Sequence, residues 1–229
     1  MAFSQAALTF FRGLAKHNEK PWFEAHREEY ERQVRDPMRA LIVEMDERFQ
    51  RFAPEMTGDP KRSMFRINRD IRFSKDKSPY KTHAACWFQH RATAGRPGDN
   101  EGGSAGFYFH LAPRSCSIGA GIWMPPRSAL GKIRDAIVED ARGFERIVRH
   151  RGVVRRFGGL DDQNVLKRMP RGYGEDQPGA SWLKYESFTM GRRLKDSQAM
   201  GPRLPALLES DFKALLPLVR WLNHAMGLA

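Results

Sequence analysis

Phe3, Ala6, Ala7, Phe10, Phe11 and Leu14 recur at the spacing of one helical face, which predicts an amphipathic helix over 4–17. Pro21 suits the first position of a second helix, with Trp22, Phe23, His26, Tyr30 and Val34 roughly on one side. Asp36-Pro37 predicts a stop and a restart, with Asp36 capping the helix that follows. In that third helix Met38, Leu41, Ile42, Met45, Phe49 and Phe52 keep the helical period. Glu44–Arg48 and Glu47–Arg51 add favourable four-apart pairs on its outside.

After Pro54 the period falls to two. Phe65, Ile67, Ile71 and Phe73 alternate with Arg66, Asn68, Asp70 and Arg72, and a second alternation runs from Thr82 to Gln89. Phe107, Phe109 and Leu111 alternate with Tyr108 and His110, and Ile118, Ala120 and Ile122 follow a short turn at 113–115, as in an antiparallel hairpin. Between these strands, residues 91–105 are polar and glycine-rich and predict a flexible surface loop. Ser128 can cap a helix carrying Leu130, Ile133, Ile137, Phe144 and Ile147. Residues 150–180 have little periodicity and predict a loop packed on a scaffold. The last helix carries Leu208, Phe212, Leu215, Leu216, Val219, Leu222 and Met226, with a kink expected at Pro217. Helices, then strands, then helices predict an α+β fold. A mostly antiparallel sheet is flanked by N-terminal and C-terminal helices in a single domain spanning 1–229.

Composition changes the picture in one respect. The 229 residues are 41% hydrophobic and 29% charged, as in a soluble globular protein, and no apolar run approaches the roughly 20 residues of a membrane span. Arg12 interrupts the first apolar stretch, which argues against a secretory leader. Cys86 and Cys116 are too few for a disulfide framework, so a reduced, cytoplasmic protein is expected. The distinctive quantity is the formal charge of +12. It is concentrated in residues 61–83 and 146–171, each with eight Lys/Arg against two Asp. Such fields attract phosphates, carboxylates and nucleic acid. The acid-rich helical region 24–47 can instead neutralise one block by docking on it.

The phosphate-binding glycine loops, the His-Glu-x-x-His zinc motif and the Gly-x-Ser-x-Gly nucleophile motif are all missing. His83 and His110 fall in adjacent strands and can converge on a metal with Asp70 or Asp76, but ordinary polar-face histidines are the favoured reading. Neither a metal nor a cofactor is expected. The informative stretch is 66–83, where two acids cannot neutralise the surrounding bases. Arg66, Arg69, Arg72, Lys77 and Lys81 are the expected anion contacts, by guanidinium fork or by point charge. In an extended strand Arg66 and Arg72 would lie about 20 Å apart, so either the chain turns near Asn68–Asp70 or these arginines serve different partners. Asp70 can orient an arginine or act as a base, and Tyr80 and His83 are the candidate acid/base groups. Arg168, Arg171 and Tyr173 can cover the site as a lid.

The run from Arg66 through Arg69-Asp70, Arg72-Phe73-Ser74-Lys75-Asp76-Lys77-Ser78-Pro79-Tyr80-Lys81-Thr82-His83 resembles the signature of domain of unknown function 2461. The resemblance extends to Trp22-Phe23 with His26 and Tyr30, and to Gly121-x-Trp123-x-Pro125. It continues through Lys167-Arg168-x-Pro170-x-Gly172-Tyr173 and Leu222-Asn223. One departure is visible: Gln177-Pro178 stands where members commonly have His before proline. The resemblance implies a family without an established activity. The expectation drawn from the basic stretch is a small anionic ligand, phosphate- or carboxylate-bearing, held at a basic site on the sheet. The alternative is single-stranded nucleic acid, with Phe73, Tyr80, Trp87, Phe107 and Tyr108 interleaved among the bases.

Overall fold

The computed structural model describes residues 3–72, 74–93 and 103–228. Phe73, at the end of the first expected alternation, and most of the expected 91–105 loop lie outside the described residues. The chain opens with α1 (Gln5–Lys16), α2 (Lys20–Ala25) and α3 (Arg27–Tyr30). Ser4 caps α1 by accepting from the Ala6 N–H at 3.3 Å, and Phe10, Phe11 and Leu14 on its inner stripe are buried.

The expected break at Asp36-Pro37 does not occur. A π-helical turn, Glu31–Arg35, runs directly into α4 (Asp36–Phe52), and Asp36 is helical rather than a side-chain cap. The Asp36 N–H bonds to the Glu31 carbonyl five residues back. The wider turn gives the Pro37 ring room where an α-helical carbonyl would clash, so the axis continues.

Five antiparallel strands follow in sequential order: β1 (Met56–Thr57), β2 (Ala84–His90), β3 (Gly106–Leu111), β4 (Cys116–Ile122) and β5 (Phe188–Leu194). The fold is α+β, with the sheet antiparallel throughout. The hairpin expected at 113–115 joins β3 and β4, pairing Phe109 with Ile118. The expected strand over 65–73 does not form. That stretch makes isolated bridges only, Met64 to Cys86 and Asn68 to Tyr80. Conversely, β5 lies where no strand was expected.

Between β4 and β5 lie α5 (Arg127–Glu139), α6 (Ala141–Val148), α7 (Arg151–Phe157) and α8 (Ala180–Leu183). Pro126, not Ser128, occupies the cap position of α5, α7 falls within the region expected as loop, and α8 begins at its end. After β5, α9 (Asp196–Ala199) precedes α10 (Leu204–Ala225), which runs through Pro217. No helix among the described residues is long and apolar enough to cross a membrane.

One face of the sheet packs under α4 and α10. Phe49 of α4, Phe88 of β2, Phe107 of β3 and Phe212 of α10 meet there, with ring centroids 4.6 Å apart for Phe107–Phe212 and 5.2 Å for Phe49–Phe88. Each of these side chains is fully buried, which supplies on the order of 2 kcal/mol apiece. The opposite face carries half-exposed Trp87, Tyr108, His110 and Ser117 by the same period of two.

Candidate functional site

Residues 58–83 form a strap that ties the helices to the sheet. Asp59 turns the chain by accepting from the N–H groups of Lys61 at 2.7 Å and Arg62 at 3.0 Å. Residues 63–65 then lie along β2, with the Phe65 N–H donating to Ala85 at 3.0 Å and the Trp87 N–H to Ser63 at 2.9 Å. Beyond this, the chain folds back on itself. The Arg69 N–H donates to Pro79 at 2.9 Å and the Lys81 N–H to Ile67 at 2.8 Å, around the Asn68–Tyr80 bridge. The result is a short hairpin, with residues 70–72 and 74–78 at its tip.

That hairpin separates the arginines expected to act together. At the tip, Asp70 accepts from Arg72 Nε at 3.0 Å and Nη2 at 2.7 Å, and Asp76 pairs with Arg69. Lys77 Nζ donates to the Ile71 carbonyl at 2.9 Å. Hydrogen bonds from Arg72 hold the Asp70 carboxyl at about 2, and those from Ser78 and Arg69 hold Asp76 at about 2. A carboxylate stabilised in this way is a weak base at neutral pH, so Asp70 orients Arg72 and has little capacity to accept a substrate proton.

Lys81 and His83 lie beside the open face of the sheet. Lys81 Nζ donates to the Arg66 carbonyl at 3.0 Å and sits 5.6 Å from the centre of the Phe65 ring. The His83 and His110 rings are 4.4 Å apart, and the Tyr108 hydroxyl is 3.0 Å from His110 Nδ1. Burial, then the neighbouring His110, Lys81 and Arg69, depress His83 to about 4, so it is neutral at pH 7. Burial likewise lowers His110 and raises Tyr108 to about 12. The two histidines converge, but Asp70 and Asp76 stay at the hairpin tip. No group of three His, Cys, Asp or Glu among the described residues is placed to hold a metal ion.

Arg66 and Tyr80 belong to a different place, a cleft of about 630 Å³ between the strap and the α2–α4 run. Tyr80 is 5% exposed and stacks on Phe23 of α2 at 4.3 Å, and Tyr30 of α3 is 5.4 Å from Phe23. Both tyrosines line the cleft, and neither hydroxyl has a hydrogen-bond partner among the described residues. Burial raises both phenols, Tyr30 to about 12, so each is a donor at neutral pH. The two acids of the cleft are already matched: Glu24 with Arg27 at 2.7 Å, and Glu31 with Arg35. Lys20, Arg39, Lys61 and Arg66 also line it and have no ion-pair partner among the described residues. Glu24 and Glu31 thus each pair with an arginine three or four residues on, and four cations face the cavity without an ion pair among the described residues.

The expected lid lies elsewhere. Arg168 and Arg171 are exposed, and the Tyr173 hydroxyl donates to Asp135 Oδ1 at 2.7 Å on α5. Burial first, and that bond second, push Tyr173 up to about 12. Sequence reasoning missed Lys20, Arg39 and the cleft role of Tyr30. Lys61 was visible only as one member of the basic block.

The two stretches meeting at the cleft, 22–30 and 66–80, are both among those that carry the family resemblance. Together with the antiparallel sheet under α4 and α10, they describe a basic α+β protein with a helix–strap cleft. Residues 6–221 match the family described as Conserved hypothetical protein (DUF2461), and the chain belongs to that family. No curated protein and no solved structure matches it.

Proposed function

We propose that the cleft binds a small ligand carrying a phosphate or several carboxylates. The observation that supports this is the imbalance inside one cavity: Glu24 and Glu31 are paired, whereas Lys20, Arg39, Lys61 and Arg66 are not. Guanidinium forks suit bidentate contact with phosphate or carboxylate oxygens, the lysines add point charge, and the Tyr30 and Tyr80 hydroxyls can donate to remaining lone pairs. In this reading Arg69, Arg72 and Lys77 act indirectly, by fixing the hairpin that carries Arg66 and Tyr80. Lys81 anchors the strap through the Arg66 carbonyl. Arg168 and Arg171 do not line the cleft and have no part in this reading. His83 and Asp70 have no direct part in binding.

Single-stranded nucleic acid draws less support. Tyr80 and Phe107 are buried, which leaves Trp87 and Tyr108, both half-buried, of the described aromatics expected to stack on bases.

The test is calorimetry and thermal melting with inorganic phosphate, a phosphate monoester and citrate. A ligand at a hundred times its Kd adds about 2.7 kcal/mol to stability, a shift of roughly 5–10 °C for a chain of this size. The Arg39→Gln/Arg66→Gln double variant should lose that shift while keeping its own melt. Absence of any shift at tens of millimolar, or an unchanged shift in the double variant, would overturn the reading.

A further inference from the structure

A second cavity, of about 1000 Å³, opens between α6, α7 and α10, with Met190 of β5 in its floor. It draws on the second basic block, which the helix–strap cleft does not use. Ile147, Val153, Leu215, Leu218 and Trp221 supply an apolar lining. The charged lining divides into committed and uncommitted groups. Arg156 is bound to Asp211 at 2.5 Å, Lys213 to Glu209 at 2.7 Å, and Asp140 accepts the Gly143 N–H at 2.8 Å as the cap of α6. Arg146 and Arg155 are exposed at the rim and have no ion-pair partner among the described residues. His150 is exposed between them in sequence. An inorganic anion would gain less there than at the helix–strap cleft, since two arginines stand in place of four cations and no tyrosine hydroxyl lines the groove beside them. A neutral apolar molecule would leave the arginines unused. The combination fits a long apolar body ending in one anionic head.

We infer that this groove binds a single-chain fatty carboxylate, its alkyl chain against Val153, Leu215, Leu218 and Trp221 and its head at Arg146 and Arg155. The chain supplies most of the affinity by leaving water, and the arginines select the anion and fix its orientation. The volume lies at the upper end of the ordinary range for small-molecule sites.

The experiment titrates octanoate, decanoate, dodecanoate and decanol, each below its micelle concentration. It uses calorimetry and the Trp221 fluorescence change read against Trp221→Phe. Affinity should rise about two- to four-fold per added methylene, and decanol should bind at least ten-fold more weakly than decanoate. Arg146→Gln/Arg155→Gln changes exposed side chains only. It should close the gap between decanoate and decanol while leaving phosphate binding at the helix–strap cleft untouched, which separates the two sites. Ala214→Trp, at a half-buried position lining the groove, should abolish binding of every chain; its melt serves as the folding control, and the arginine variant stands alone if it fails. No dependence on chain length, equal binding of decanol, or unchanged binding in the arginine variant would overturn the proposal. So would binding confined to phosphatidylglycerol vesicles, which would assign this basic face to a membrane surface.

Discussion

The side-chain amide of Asn18 holds both backbone polar groups of Tyr80, donating to its carbonyl at 2.9 Å and accepting from its N–H at 3.0 Å. The amide thus does what a neighbouring strand would do, and it locks the strap to the α1–α2 connection. Asn223 of α10 holds Ala105 in the same manner, at 2.8 and 3.2 Å. Two asparagines therefore fix two irregular segments where no ladder is available.

Asn18→Ala leaves both Tyr80 groups without that partner, at an expected cost of about 1–3 kcal/mol. Asn18→Asp keeps the acceptor, loses the donor, and should fall between. Urea unfolding gives the stabilities. Phosphate affinity at the cleft should drop in the same order, because Tyr80 and Arg66 stand on the loosened hairpin. A full loss of stability with unchanged affinity would show that the strap does not position the ligand.

The pH dependence at mildly acidic pH follows first from His83, with His110, also lowered by burial, adding to it. The folded value of His83, about 4, lies below the ordinary 6.5, so between these limits the unfolded chain binds a proton that the folded chain refuses. The contribution is complete above pH 6.5 and is lost as the pH falls toward 4, on the order of 1–3 kcal/mol in total. Asp70 and Asp76, held at about 2, contribute in a lower window, lost only as the pH falls from the ordinary carboxylate range toward 2. His83→Gln should therefore flatten the melting-temperature profile between pH 4 and 6.5 and leave the steeper loss at lower pH. An identical profile in the variant would refute this assignment.

The hairpin tip gives a third expectation. Arg69, half-buried at the base of the tip, is engaged with Asp76, and exposed Lys77 with a backbone carbonyl. Arg69→Gln and Lys77→Gln should each cost less than about 1 kcal/mol and change phosphate affinity less than about three-fold. Arg66→Gln should cost as little in stability but weaken binding ten-fold or more, because the lost contact is a charge-assisted one. Reversal of that order, with Arg69 dominant, would move the site from the cleft to the tip.

The helical stripes of α1, α4 and α10 were legible because their apolar residues meet the core directly. The β3–β4 hairpin was legible for the same reason. β5 was not, and Arg192 explains why. It points to the core face and pairs with Asp211, itself fully buried on α10, at 2.8 Å. A charged residue at an inward position breaks the alternation on which strand reading depends. The strap failed in the opposite sense: 65–72 alternates in sequence, yet the chain turns back so that Asn68 bridges to Tyr80, Arg69 pairs with Asp76, and Asp70 holds Arg72. The basic block was visible as charge. Its division into a braced tip and an open cleft was not, because Arg39 and Tyr30 reach the cleft from helices distant in sequence.

The last expectation concerns Gly121, the first residue of the Gly121-x-Trp123-x-Pro125 stretch. It lies on β4 opposite Thr189 of β5, with φ of +120°, where side chains are strongly disfavoured. A Cβ at this position would lie 1.9 Å from the Phe188 carbonyl oxygen, which is main chain and cannot swing aside. Gly121→Ala should therefore cost about 3 kcal/mol or more, lowering the melting temperature by roughly 6–12 °C. Gly158, which ends α7, has φ of +91° but nothing within 4 Å of its added Cβ. Gly158→Ala carries the backbone strain alone and should cost about 1–2 kcal/mol. The difference between the two variants measures the close approach of β4 to β5. If they melt together, the glycine at 121 is needed only for its dihedral angle, and the Gly121-x-Trp123-x-Pro125 stretch must owe its pattern to exposed Trp123 instead.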